Sequence, residues 1–137
     1  MTAKEYLMQY LSLCSERNRL YDELERLHSL ATRCTPSYSG QTSSSFDNNK
    51  LPNIVDKITA QEQLIDKQID KCTDMLCNIT AAINSMPEEQ YRSILYKRYV
   101  QGKKWDIIAQ EMNYSKRDLH RKHKKALRIF EQMQIYG

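Results

Sequence analysis

Glycine and proline are scarce: three of each occur in 137 residues. An all-β chain would need many turns, and these are the residues that build them, so that class is excluded. No stretch approaches the roughly 20 apolar residues of a membrane-spanning helix. Met1-Thr2-Ala3-Lys4-Glu5-Tyr6 has no apolar core of a secretory leader. The expectations are no membrane partner and a cytoplasmic location. The four cysteines, Cys14, Cys34, Cys72 and Cys77, include no C-x-x-C pair. Cys14 and Cys72 fall within helical apolar patterns, where a thiol behaves as a small hydrophobe rather than a metal ligand. His28 lacks ligand spacing to them. A glycine-rich phosphate loop, H-E-x-x-H and G-x-S-x-G are all missing. Acidic residues are spread along helix surfaces, as solubilising charges are. The expected chemistry is recognition, without catalysis, cofactor or metal.

What is present is helical periodicity, enough for one modest domain or a small domain plus an extension. The charge is uneven. Residues 87–137 hold 12 Lys/Arg and 6 Asp/Glu, a net +6, whereas residues 1–86 hold 9 and 11, a net −2. The bland reading is a solvated surface, but charge concentrated in one half suits a polyanionic partner.

Thr2-x-x-Glu5 is a capping box for a first helix running to about residue 34. Tyr10, Leu13, Arg17, Leu20, Leu24, Leu27 and Ala31 recur by threes and fours and make an apolar seam. Arg17 interrupts it, either to specify register or to snorkel its head into water. Residues 35–52, rich in serine, have little to bury and read as a flexible loop. Asn53 is the expected cap of a second long helix, residues 53–84. Its expected seam is Val55, Ile58, Glu62, Ile65, Ile69, Cys72, Leu76, Ile79 and Ile83. Two long helices joined by one loop predict an antiparallel hairpin over residues 1–85. Each helix of such a pair buries one stripe, so the hairpin calls for a partner, most simply a second copy of the chain. The expected domain junction is Asn84-Ser85, with a continuous run into the next helix as the alternative.

Residues 86–137 read as a second domain of three helices. Ser85, Pro87 and Glu88 look like a helix start, Tyr91, Ile94, Leu95 and Tyr99 like its apolar face, and Gly102 like its end. A short helix follows, Lys104 to Met112, with Trp105, Ile108, Ala109 and Met112 inward and Asp106 at its positive end. Asn113 suits a left-handed turn. Ser115 and Asp118 then cap a last helix reaching about residue 134. Leu119, His123, Ala126, Leu127, Phe130 and Met133 share its inner face, with His123 at the edge of the core. Arg117, His120, Arg121, Lys124 and Arg128 share the outer one. A basic, donor-rich stripe on the second helix of a tight turn is what major-groove reading requires.

The order Met86-Pro87-Glu88…Ile94-Leu95-Tyr96-Lys97-Arg98-Tyr99…Trp105-Asp106-Ile107-Ile108-Ala109…Tyr114-Ser115-Lys116-Arg117…Lys125-Ala126-Leu127 resembles the region-4 helix-turn-helix of bacterial sigma factors. It is more similar still to phage-encoded regulators built on that domain, of the ArpU/RinA late-gene-control type. The resemblance covers about the last 45 residues. Lys97, Lys104 and Lys122 depart from its pattern. It implies that Lys116, Arg117, His120 and Arg121 contact promoter DNA, and that the chain works in a bacterial host cell. Lys124 and Arg128 extend that face, and Lys103, Lys104 and Lys125 are placed to touch the DNA backbone. The chain has no room for the other regions of a complete sigma factor, so the expectation is a regulator that reuses the fold. Its partners would be double-stranded DNA and RNA polymerase, with the hairpin dimerising or contacting polymerase. The alternatives are a recognition subunit of phage DNA packaging, like a terminase small subunit, and a helical adaptor that binds no DNA.

Overall fold

In a computed structural model, residues 1–34 and 50–133 are described, and every regular element among them is helical. The helices are α1 (Ala3–Cys34), α2 (Lys50–Asn84), α3 (Glu89–Leu95), α4 (Trp105–Met112) and α5 (Lys116–Gln132), with a π turn, Tyr96–Val100, continuing α3. No helix of the described residues is long and apolar enough to cross a membrane. The serine-rich stretch 35–49 lies outside the described residues.

The start of α1 follows its capping box. The Thr2 amide donates to Glu5 Oε2 at 2.9 Å and the Glu5 amide to Thr2 Oγ1 at 3.2 Å, which satisfies two amides that have no helical acceptor. A third, that of Ala3, donates to Glu131 Oε1 at 3.3 Å. The start of α2 corrects the expectation. It begins at Lys50, so Asn53 is an interior residue and residues 50–52 are helix, not loop. Pro52 is tolerated there because the first turn has no acceptor for the N–H that proline lacks.

Packing divides the chain into two compact bodies, and α1 and α2 contribute to both. The first is Met1–Cys14 with Lys71–Gly137, and the second is Ser15–Asp70. In the first, Ala3, Leu7, Ile79, Ala82, Ile83, Met86, Tyr91, Leu95, Tyr99, Ala126 and Phe130 form one buried cluster. Phe130 is fully buried and stands 6.1 Å, ring to ring, from Tyr6. Burial of such a side chain is worth about 1.5–3 kcal/mol. This core spans the Asn84-Ser85 position where the sequence placed a domain junction, because the first turns of α1 and the end of α2 bury their apolar residues with α5.

The link between α2 and α3 also differs from expectation. Ser85 does not cap α3: its Oγ donates back to the Ala81 carbonyl at 2.9 Å, closing α2. The N-cap is Glu88, without a side-chain hydrogen bond, and Arg92 instead ties α3 to the link through the Met86 carbonyl at 2.5 Å.

In the second body the α1 seam lies where its spacing put it, with Leu20 buried and Leu24, Leu27 and Ala31 half-buried. The α2 seam is shifted. Val55 and Glu62 are exposed, and Gln61 and Gln68 are buried beside Ile65. Gln61 is tolerated because its amide donates to the Leu20 carbonyl at 2.9 Å and to Glu23 at 3.3 Å. Arg17 is half-buried and reaches Asn18 at 3.5 Å.

Candidate nucleic-acid interface

A small second core shapes the site. Ile94, Ile108, Ala109 and Leu119 are buried together, with Trp105, Met112 and Tyr114 packed at the edge. Two residues with positive φ set the connections. Gly102 (φ +68°) ends the π turn, and Asn113 (φ 59°, ψ 39°) reverses the chain after α4. Glycine enters the left-handed region without a Cβ penalty, and asparagine does so more readily than other side chains. Ser115 then caps α5, its Oγ accepting the Asp118 amide at 3.1 Å. Lys104 is the N-cap of α4, with no side-chain hydrogen bond.

From this start α5 has two opposed faces. Leu119, His123, Ala126 and Phe130 are buried. Arg117, His120, Arg121, Lys124 and Arg128 are all exposed. At about 100° per residue these five occupy roughly a 100° arc on the side away from the core. Lys116 and Lys125 are exposed on its flanks.

The candidate cations differ in what surrounds them. Lys116 pairs with Asp106 at 2.5 Å, and Arg121 pairs with Asp118 one turn before it. Lys103 donates to both Glu111 oxygens, at 2.6 and 2.9 Å, and Lys97 joins it at 2.6 Å. The ammonium groups of Lys103 and then Lys97 hold the Glu111 carboxyl below its ordinary pKa. Among the described residues, Lys104, Arg117, Lys124 and Arg128 make no ion pair.

Behind the exposed stripe lies an aromatic support. The Trp105 ring is 4.5 Å from the His123 ring and 5.2 Å from that of His120, with the Arg98 guanidinium 4.6 Å from its centre. The Tyr99 hydroxyl sits 2.7 Å from His123 Nε2. Burial, then the charges of Lys4, His120 and Arg98, press the His123 pKa down to about 4. Burial pushes that of Tyr99 up to about 12. Both are therefore neutral at pH 7, and one proton bridges them.

No family model, curated protein or solved structure matches this chain.

The expected arc of Arg117, His120, Arg121, Lys124 and Arg128 is brought onto one face, whereas Lys103 is turned to Glu111. Sequence reasoning missed Arg98, Lys122 and Gln90. Lys122 lies 4.8 Å over the Tyr114 ring and donates to Gln90 Oε1 at 3.2 Å. Its signal was present, since Lys122 stands one residue from His123 in a helix where an outer position would have faced water. Among the described residues no three metal-ligating side chains cluster.

Proposed function

We propose that this chain is a sequence-specific DNA-binding transcription regulator. In this reading α1 and α2 form a long antiparallel hairpin, and α3, α4 and α5 form a helix-turn-helix unit of sigma region-4 type whose α5 enters the major groove. The observation that carries it is the division of α5 into a buried apolar face and an exposed face of Arg117, His120, Arg121, Lys124 and Arg128. A helix about 10–12 Å across fits a major groove about 12 Å wide, and arginine pairs bidentately with guanine O6 and N7. Arg117 and Arg121 lie in the first turns, the part of a recognition helix that reaches base edges. Lys125, exposed beside that face, is placed for a phosphate contact.

The resemblance supplies the setting: phage or prophage late-gene control in the cytoplasm of a bacterial host, with RNA polymerase as a second partner. The chemistry is recognition, not catalysis. A second copy of the chain is the proposed partner of the hairpin. In the second body Leu20 and Ile65 are the only buried apolar side chains among the described residues, whereas Tyr21, Leu30, Val55 and Leu64 are more than two-fifths exposed. A pair of helices with so small a core gains most from further burial.

The test is selection from a random pool of duplexes by the full chain. Enrichment of one motif, bound far more tightly than its scrambled version, supports the reading. A pool that stays random through successive rounds contradicts it.

A further inference from the structure

A groove of about 560 Å³ opens between α3 and the C-terminal half of α5. Tyr91 and Ile129 contribute its apolar part, and Lys122, Lys124, Lys125 and Arg128 its charge, with Arg121 at one end. None of its lining residues is acidic. We infer that this groove seats the phosphodiester backbone of the bound duplex, so that the protein grips DNA from this one flank of α5. The inference rests on the DNA-reading proposal above and adds to it which side holds the strand.

Two sets of cations around α5 differ in their partners. Near α4, three of the lysines are already in ion pairs, and Lys104 is the exception. Lys97 and Lys103 both bind Glu111, and Lys116 binds Asp106. A phosphate arriving at one of these three must break an ion pair to form one, and the exchange gains little. In the groove the ammonium groups of Lys122 and Lys125 are held by neutral partners. Lys122 is positioned by the Tyr114 ring and the Gln90 amide oxygen, and Lys125 lies 5.7 Å over the Tyr91 ring. An aromatic face or an amide orients a cation without cancelling its charge. Apart from Arg121, which pairs with Asp118, the groove's cations therefore carry positive charge that no ion pair among the described residues compensates. It takes a polyanion whose charges repeat along its length, and the backbone beside a major groove entered by α5 is such a chain.

The distinguishing measurement is the salt dependence of duplex binding by the full chain. Each phosphate contact contributes about 0.9 to the slope of log K against log salt. Lys122→Gln with Lys125→Gln should lower the slope by about 1.8, equally on the selected and scrambled duplexes. Lys125→Gln alone, at an exposed position where folding is not at stake, should lower it by about 0.9. Lys97→Gln with Lys103→Gln should leave it within about half a unit, since those lysines are already paired. An unchanged slope in the groove variants with a fall in the Lys97/Lys103 variant overturns the inference and leaves the DNA reading standing. Retained duplex binding in the groove variants with loss of oligo-glutamate binding would assign the groove to an acidic peptide, and also overturns it. A wild-type chain that binds no duplex removes both proposals together.

Discussion

The hydroxyl of Tyr99, in the π turn, lies 2.7 Å from Nε2 of His123, on the buried side of α5. The bond joins the element before α4 to the helix after it, directly behind the exposed basic stripe. A π turn carries one more residue per hydrogen-bonded ring than an α turn and is often found at functional positions. Here three successive residues of that turn take three different partners: Lys97 meets Glu111, Arg98 meets Trp105 and Tyr99 meets His123.

This geometry makes stability depend on pH in a defined window. His123 titrates at about 4 in the fold against an ordinary value of 6.5. Between those values the unfolded chain binds a proton that the folded chain refuses. The contribution of neutral His123 is thus complete above about pH 6.5 and is lost as pH falls toward about 4. His123→Gln should be less stable than wild type at pH 7, and the gap should narrow steadily from pH 6.5 to 4. Urea midpoints across that range are the measurement. Parallel curves for the two proteins would contradict the assignment.

Trp105 is packed on the small core rather than sealed within it, and it touches His120, His123 and Arg98. Trp105→Ala should cost about 3 kcal/mol, the lower end for large aromatic truncations, because part of the ring is already in water. Thermal unfolding checks this. A variant that melts within a degree of wild type would mean that α4 is held without the indole.

Much of this was legible in the sequence, for physical reasons that can be named. The Thr2–Glu5 box, Asn113, Gly102 and the Ser115 cap are local: their function depends on residues within a turn of each other. The two faces of α5 follow from spacing alone. The misreadings concern contacts distant in sequence or residues whose polarity hides their burial. The α2 seam was read by spacing from its apolar residues, so Val55 and Glu62 were included and Gln61, satisfied by a carbonyl 41 residues away, was not. Ser85 matched a cap pattern yet bonds backward to Ala81. The bond from the Ala3 amide to Glu131 spans 128 residues, and no local pattern announces it.

Gln61 gives a test of why a polar residue sits in that seam. The Leu20 carbonyl belongs to α1 and keeps its own helical hydrogen bond when the Gln61 amide is removed. Gln61→Leu should therefore leave the melting temperature unchanged or raise it, whereas Gln61→Ala should lower it through lost packing. A loss of more than about 1 kcal/mol in the leucine variant would show that the bond itself stabilises the fold.

Self-association is the next expectation. Sedimentation equilibrium of the full chain should show a two-fold dimer, and Leu24→Lys with Leu27→Lys, both half-buried in the second body, should shift it to monomer. A wild-type chain that stays monomeric at high concentration contradicts the dimer, and a ring of many copies would favour a packaging role.

The central claim is that the exposed face of α5 reads bases, and Arg117 is its sharpest probe because it is exposed and makes no ion pair among the described residues. Arg117→Ala should cost about 1–3 kcal/mol on the selected duplex and far less on a scrambled one, since phosphate contacts dominate non-specific binding. Arg121→Ala should behave the same way once its pair with Asp118 is given up to the base. The measurement is equilibrium binding of wild type and both variants to the two duplexes at several salt concentrations. A loss confined to the selected duplex is the predicted result. Equal loss on both duplexes would reduce α5 to an electrostatic patch and contradict the account.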